Sequence, residues 1–117
     1  MTAYALAHMF PQSPLHEDVF VYIERIQDTM DPFGGRFLVH NTPAEVLEGP
    51  LDGGYVLLQF PDIDKARAWY ASDAYQAIMR MRSDHIPGTL VLLQGVPENY
   101  DPATTAKAMR AAHQGQG

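Results

Sequence analysis

His8, His40 and Tyr55 can converge as an acid–base group. Histidine exchanges its proton near neutrality, which suits abstraction from an activated carbon acid. The plainer alternative is ordinary hydrogen bonding at the mouth of a barrel. Arg36 follows Gly34-Gly35, where the backbone can turn tightly. A guanidinium there can clamp a carboxylate or an enolate. It can equally form a salt bridge to Glu48 or to a partner subunit. Gln59 adds an uncharged polar group near Arg36. Trp69, Tyr70 and Tyr75 can line an aromatic pocket, although aromatic residues at helical spacing usually belong to a core.

Other chemistries find little support. The five histidines (8, 16, 40, 85 and 113) form no His-x-x-x-His pair and no His-Glu-x-x-His motif. No metal is therefore expected. Haem would need an axial ligand, and His85 is the loosest candidate; nothing fixes the environment that haem requires, so no cofactor is expected. Gly34-Gly35 is not a phosphate loop, because the lysine and hydroxyl of that motif are missing. There is no cysteine, which excludes disulfides and thiolate catalysis.

The elements that position these groups can be read from periodicity. Ala3 to Phe10 is a short apolar run ended by Pro11, a strand by length. Ser13-Pro14 reads as a helix cap followed by proline at the first helical position. Leu15, Val19, Tyr22, Ile23, Ile26 and Met30 then recur at helical steps. Asp31-Pro32 and Gly34-Gly35 end that helix. Arg36 to His40 is a second strand, with Ala44 to Glu48 as an extension past a bulge. Tyr55 to Phe60 is a third. Asp62 caps a helix carrying Ala66 and Trp69, and Ser72 breaks and restarts it. Thr89 to Gln94 is the fourth strand. Asp101-Pro102 can start one last helix through Ala112, and Gln114 to Gly117 is expected to be disordered.

The order β-α-β-β-α-β predicts an α+β fold of the ferredoxin-like kind, with a four-stranded antiparallel sheet and the helices on one face. Alternation assigns Ala5, Ala7, Met9, Phe37, Val39, Val56, Leu58, Phe60, Val91 and Leu93 to the helix-covered face. It assigns Tyr4, Leu6, His8, Phe10, Arg36, Leu38, His40, Tyr55, Leu57, Gln59, Leu92 and Gln94 to the other. That second face is too apolar to lie bare in water, and a second copy is the direct cover. With strands one, two and four taken as running together, His8, His40, Tyr55 and Gln94 fall at one end. Arg36 and Gln59 fall at the other.

The bulk numbers agree with a small folded domain. The chain has 117 residues, 46 % of them apolar, and a formal charge of -6. No basic stripe is present to neutralise phosphates, so no nucleic-acid partner is expected. No apolar run approaches the roughly 20 residues that span a bilayer, so no membrane is expected either. A cytoplasmic location is the expectation.

The segments Tyr4-Ala5-Leu6-Ala7, Phe33 to Val39, Val46 to Gly49, Phe60-Pro61, Ala68-Trp69-Tyr70, Ser72, Tyr75-Gln76 and Leu90 to Gly95 form a recognisable combination. Together they resemble the uncharacterised-domain family 1330, a domain of unknown function in the dimeric α+β barrel superfamily. The resemblance covers nearly all of the chain up to Val96. It implies a ferredoxin-like protomer, here residues 1–96, and a homodimer; the C-terminal tail, residues 97–117, is longer than the family core. It implies no activity. Asp73 stands where a proline usually follows the serine, and Gln59 and Gln94 stand where acidic residues are common. Any chemistry those acids perform in relatives is thereby placed in doubt.

The leading expectation is a homodimeric barrel that binds a small, partly apolar or anionic molecule in the groove of the sheet. Arg36, His40, Tyr55, Gln59 and Trp69 would contact it. One alternative is a cofactor-independent monooxygenase or isomerase, with His8 or His40 as the base and Arg36 holding the oxyanion. Another is a purely structural or interaction dimer.

Overall fold

The first strand shows how the sheet is sided. In β1 (Ala3–Met9), Ala3, Ala5, Ala7 and Met9 are buried, while Tyr4, Leu6 and His8 between them are half-exposed. Strict alternation of this kind means one face under helices and one open face. The computed structural model describes residues 1–116 and places β1 at the centre of a four-stranded sheet. Its partners are β2 (Arg36–Val39), β3 (Gly54–Phe60) and β4 (Gly88–Gln94), in the order β2-β3-β1-β4. Every neighbouring pair is antiparallel. The helices are α1 (Glu17–Met30), α2 (Ile63–Ala71), α3 (Asp73–Ser83) and α4 (Pro102–Gln116).

Local chemistry explains most boundaries. The Asp62 carboxylate accepts from Lys65 N at 2.7 Å and starts α2. The Ser72 hydroxyl accepts from Tyr75 N, so one serine ends α2 and starts α3. Gly34 has φ 72°, a left-handed conformation open to glycine, and it stops the 3₁₀ turn Asp31–Phe33. Gly35 is required for space: a Cβ there would lie 2.5 Å from the Phe60 ring and 3.0 Å from Met30 Cβ.

Four expectations are corrected. First, α1 is capped by His16, whose Nδ1 accepts from Asp18 N at 3.0 Å; the helix starts three residues after Pro14, and Leu15 lies outside it. Second, Ala44 to Glu48 is loop, and the bulge lies inside β2, where Phe37 pairs with Leu58 and Val39 with Leu57. Val39 therefore shares its register position with an open-face residue. Third, β4 runs against β1, and its sides are reversed. Leu90 pairs with Ala7 and Leu92 with Ala5, and both pack on the core, while Val91 and Leu93 are 40 % and 46 % exposed. Leu90-Val91-Leu92-Leu93 is apolar at every position, so the pattern carries no information about side. Gln94 pairs with Ala3 and lies at the end opposite His8. Fourth, Gln114, Gly115 and Gln116 belong to α4, while Gly117 lies outside the described residues.

The tail helix is capped by Asp101, which accepts from Ala103 N at 3.0 Å. Its residues as far as Gly115 are exposed apart from half-buried Thr105, whose hydroxyl meets Tyr100. No described helix is long and apolar enough to cross a membrane.

Candidate functional site

The space between the sheet and the helices is filled unequally. The alanines of β1 leave room above the middle of the sheet. At one end Phe60, Trp69 and Tyr75 occupy it, all fully buried. Their rings pack closely, with Trp69 4.2 Å from Tyr75 and 5.2 Å from Phe60. Trp69 Nε1 donates to Thr29 Oγ1 at 3.0 Å, and that hydroxyl donates to Ile26 O at 2.7 Å. At the other end Met9, Val19 and Ile86 form a smaller cluster around Ala7. A cavity of about 750 Å³ remains there, between α1 and the strands, walled by Ala7, Val19, Ile23, Val56, Leu58 and Ile86 among others. That volume falls within the range of small-molecule sites.

Polar groups gather at one part of the wall. Tyr22 and Arg82 line the cavity, and Tyr75 stands behind them. The Tyr22 and Tyr75 hydroxyls are 2.9 Å apart, and Arg82 Nη2 donates to Tyr75 Oη at 3.4 Å. The Arg82 guanidinium lies over the Tyr22 ring, 5.6 Å from its centre, in cation–π contact. Burial, followed by the neighbouring Tyr75 hydroxyl, pushes the Tyr22 phenol far above the ordinary tyrosine range. The Tyr22 phenol therefore keeps its proton near neutrality. Burial disfavours the charge of Arg82, but its bonds to Tyr75 and Tyr22 outweigh this and hold its pKa above the usual arginine value. Among the described residues, Arg82 has no carboxylate at ion-pair distance.

The residues singled out from the sequence are dispersed. His40 lines the cavity, its ring 4.8 Å from that of Phe37. Trp69 forms part of the wall from within the core. Tyr55 borders the cavity but stacks on His8, with ring centres 4.6 Å apart and planes 17° from parallel. His8 Nε2 meets Asp52 O at 2.7 Å. His8 and Tyr55 thus form a pair, while His40, beyond the β2 bulge, packs on Phe37 and lines the same cavity as Tyr55. Arg36 and Gln59 are bonded to each other, Nε donating to Oε1 at 2.8 Å, and neither lines the cavity. Glu48 is not their partner. The reading of spacing missed Arg82 and Tyr22. The one available signal was that Tyr75, Ile78 and Arg82 share a helical stripe, which puts a cation on an inward face.

Solved structures share this fold at low sequence identity. A protein of unknown function from Rhodopseudomonas palustris is similar with a TM-score of 0.62 and 14 % identity, over 82 % of this chain and 83 % of that one. Its methylated form gives a TM-score of 0.63 at 12 % identity, over 85 % of this chain and 84 % of that one. SnoaB, a cofactor-independent oxygenase from Streptomyces nogalater, gives a TM-score of 0.51 at 14 % identity, over 86 % of this chain and 96 % of that one. No curated protein matches the sequence. The model of one family, described as a domain of unknown function (DUF1330), matches residues 2–96. The chain therefore belongs to the DUF1330 family, with a ferredoxin-like α+β fold.

Proposed function

We propose that the protein binds a small, largely apolar molecule bearing one anionic or strongly accepting oxygen. The site is the cavity between sheet and helices, and not the open groove of the sheet. The observation that carries this reading is Arg82, a guanidinium without a carboxylate partner among the described residues, on the wall of a largely apolar cavity. A charge left in such surroundings is costly unless something pairs with it. A ligand oxygen accepting from Arg82, with the Tyr22 hydroxyl beside it, supplies that pairing. The aliphatic wall takes the rest of the molecule.

The probe for this is anilinonaphthalene sulfonate, which joins an apolar ring system to an anionic oxygen group. Arg82→Gln should weaken its binding at least about tenfold, the size of one charge-assisted hydrogen bond. Equal binding by the variant rejects the site. Leu93→Glu, on the open face, serves as the control and should leave probe affinity unchanged.

A second reading, an enzyme acting on an acidic carbon, draws on His40 lining the same cavity as Arg82. His40 takes the proton and Arg82 holds the oxygen that becomes negative. Turnover of a panel of quinols and lactones should fall at least about tenfold in His40→Ala. Unchanged turnover removes His40 from the chemistry.

The open face supports a homodimer. Leu38, Val91 and Leu93 are each at least 40 % exposed there, beside half-exposed Leu6 and Leu57. A second copy packed on this face buries them. Light scattering should give twice the chain mass, and Leu93→Glu should give the single-chain mass. A single-chain mass for the unaltered protein rejects the dimer.

A further inference from the structure

The strongly polar groups on the cavity wall gather in two places. Arg82 and Tyr22 form the first, with Tyr75 behind them. The second is the run His40-Asn41-Thr42, which follows β2 and is exposed at the rim. Asn41 has φ 52°, so the chain turns sharply there. The run offers an imidazole, an amide and a hydroxyl, which together can both donate and accept hydrogen bonds. Val56 and Leu58 of β3, both apolar, line the same cavity.

The sheet sets the distance between the two. Arg82 Nη1 lies 3.7 Å from Met9 Sδ, at the end of β1. His40 follows the end of β2. Both strands run against β3, which lies between them, so these ends fall on the same side of the sheet. Two strand spacings put the polar groups roughly 10 Å apart. Their charges differ. Among the described residues lining the cavity, Arg82 is the one side chain with a permanent charge. A single guanidinium matches one planar carboxylate, whereas a phosphate dianion brings a second charge that no second cation meets. At the rim a further carboxylate would find no lysine or arginine. A neutral oxygen there finds His40, Asn41 and Thr42.

We propose that the ligand class is an elongated monocarboxylate carrying a hydroxyl or carbonyl oxygen at its far end. This rests on the anion-binding reading of the cavity, and it adds the length and the second polar group of the molecule. The carboxylate accepts from Arg82 beside Tyr22. The apolar middle lies along Val56 and Leu58. The far oxygen bonds to the rim at His40 and Thr42. Arg82 thus holds any acid of suitable length, and His40 is a specificity residue that selects among acids by their far ends. An acid ending in a plain alkyl group forgoes the rim bonds and sets carbon against polar side chains.

The test is calorimetric titration of the full chain with octanoate and with ω-hydroxyoctanoate. Against an apolar end the added hydroxyl would weaken binding at least about tenfold, because it is buried without a partner. Here ω-hydroxyoctanoate should bind at least as tightly as octanoate. His40→Leu should weaken ω-hydroxyoctanoate and strengthen octanoate, moving the ratio of the two affinities at least about tenfold. Thr42→Val should move the ratio in the same direction. Arg82→Gln should weaken both acids by the same factor and leave the ratio unchanged. Circular dichroism checks folding, and Thr42→Val decides alone if His40→Leu does not fold. A tenfold preference for octanoate, or a ratio unmoved by both rim variants, overturns the proposal. If neither acid binds while anilinonaphthalene sulfonate still binds through Arg82, this proposal falls and the anion site stands. If the sulfonate binds equally without Arg82, the anion site falls and takes this proposal with it.

Discussion

The two ends of the layer between sheet and helices are built from the same strands and behave differently. At the Trp69 end every large side chain meets another, and Trp69, Tyr75 and Phe60 are fully buried. Beneath α1 the same central strand offers alanine, no large aromatic fills the gap, and a cavity remains. One end is densely packed and the other keeps open space. Protein interiors tolerate few voids, because unfilled space forfeits dispersion contacts. A cavity of this size beside a tightly packed cluster, with a guanidinium on its wall, is the ground for the proposed site.

The contrast can be broken most directly at Trp69. Trp69→Ala should cost about 3–5 kcal/mol, measured by denaturant unfolding, because it empties the packed end and leaves Thr29 short of a donor. A loss below about 1 kcal/mol would mean that this end is not the stabilising one.

The same substitution two residues apart sharpens the contrast. Ala5 belongs to the Trp69 cluster, whereas Ala7 belongs to the smaller cluster with Met9, Val19 and Ile86 and lines the cavity. Ala5→Leu should overpack and cost about 1–3 kcal/mol. Ala7→Leu should fill empty space and leave stability unchanged or raised by up to about 1–2 kcal/mol, while abolishing probe binding. Equal costs at both positions would remove the distinction.

The smallest effect concerns the boundary between the ends, where Tyr22 bonds Tyr75. The folded protein holds the Tyr22 proton well above the ordinary tyrosine range. Above about pH 10 the unfolded chain releases that proton and the folded chain keeps it, so alkali favours unfolding. This contribution is fully present below pH 10 and is lost at about 1.4 kcal/mol per pH unit above it. Tyr22→Phe should be less stable near neutrality by about 1 kcal/mol, through the lost hydrogen bond. Its stability should then fall less steeply from pH 10 upward, as thermal melts across that range will show.

How legible these regions are in the sequence follows from their geometry. Helix breaks are local, so Ser72 and Gly34-Gly35 could be read from a few neighbours. The sides of β1 could be read because Ala, Leu and His alternate there. The sides of β4 could not, because four consecutive apolar residues fit either face. His40 was assigned to the open face by counting in twos, and a single bulge residue in β2 defeated the count. Tyr22 and Arg82 lie on different helices far apart in the chain, so no spacing motif could reveal their meeting.

The amino-acid order alone determined the kinds of element, their sequence along the chain and the presence of one helix-covered and one half-apolar face, because these depend on periodicity and on caps within a turn. The tertiary structure decided which way β4 runs, which polar groups share a space and where that space lies. Those outcomes depend on strand register and on side-chain volumes summed across elements distant in sequence, and neither quantity is a property of any local stretch of residues.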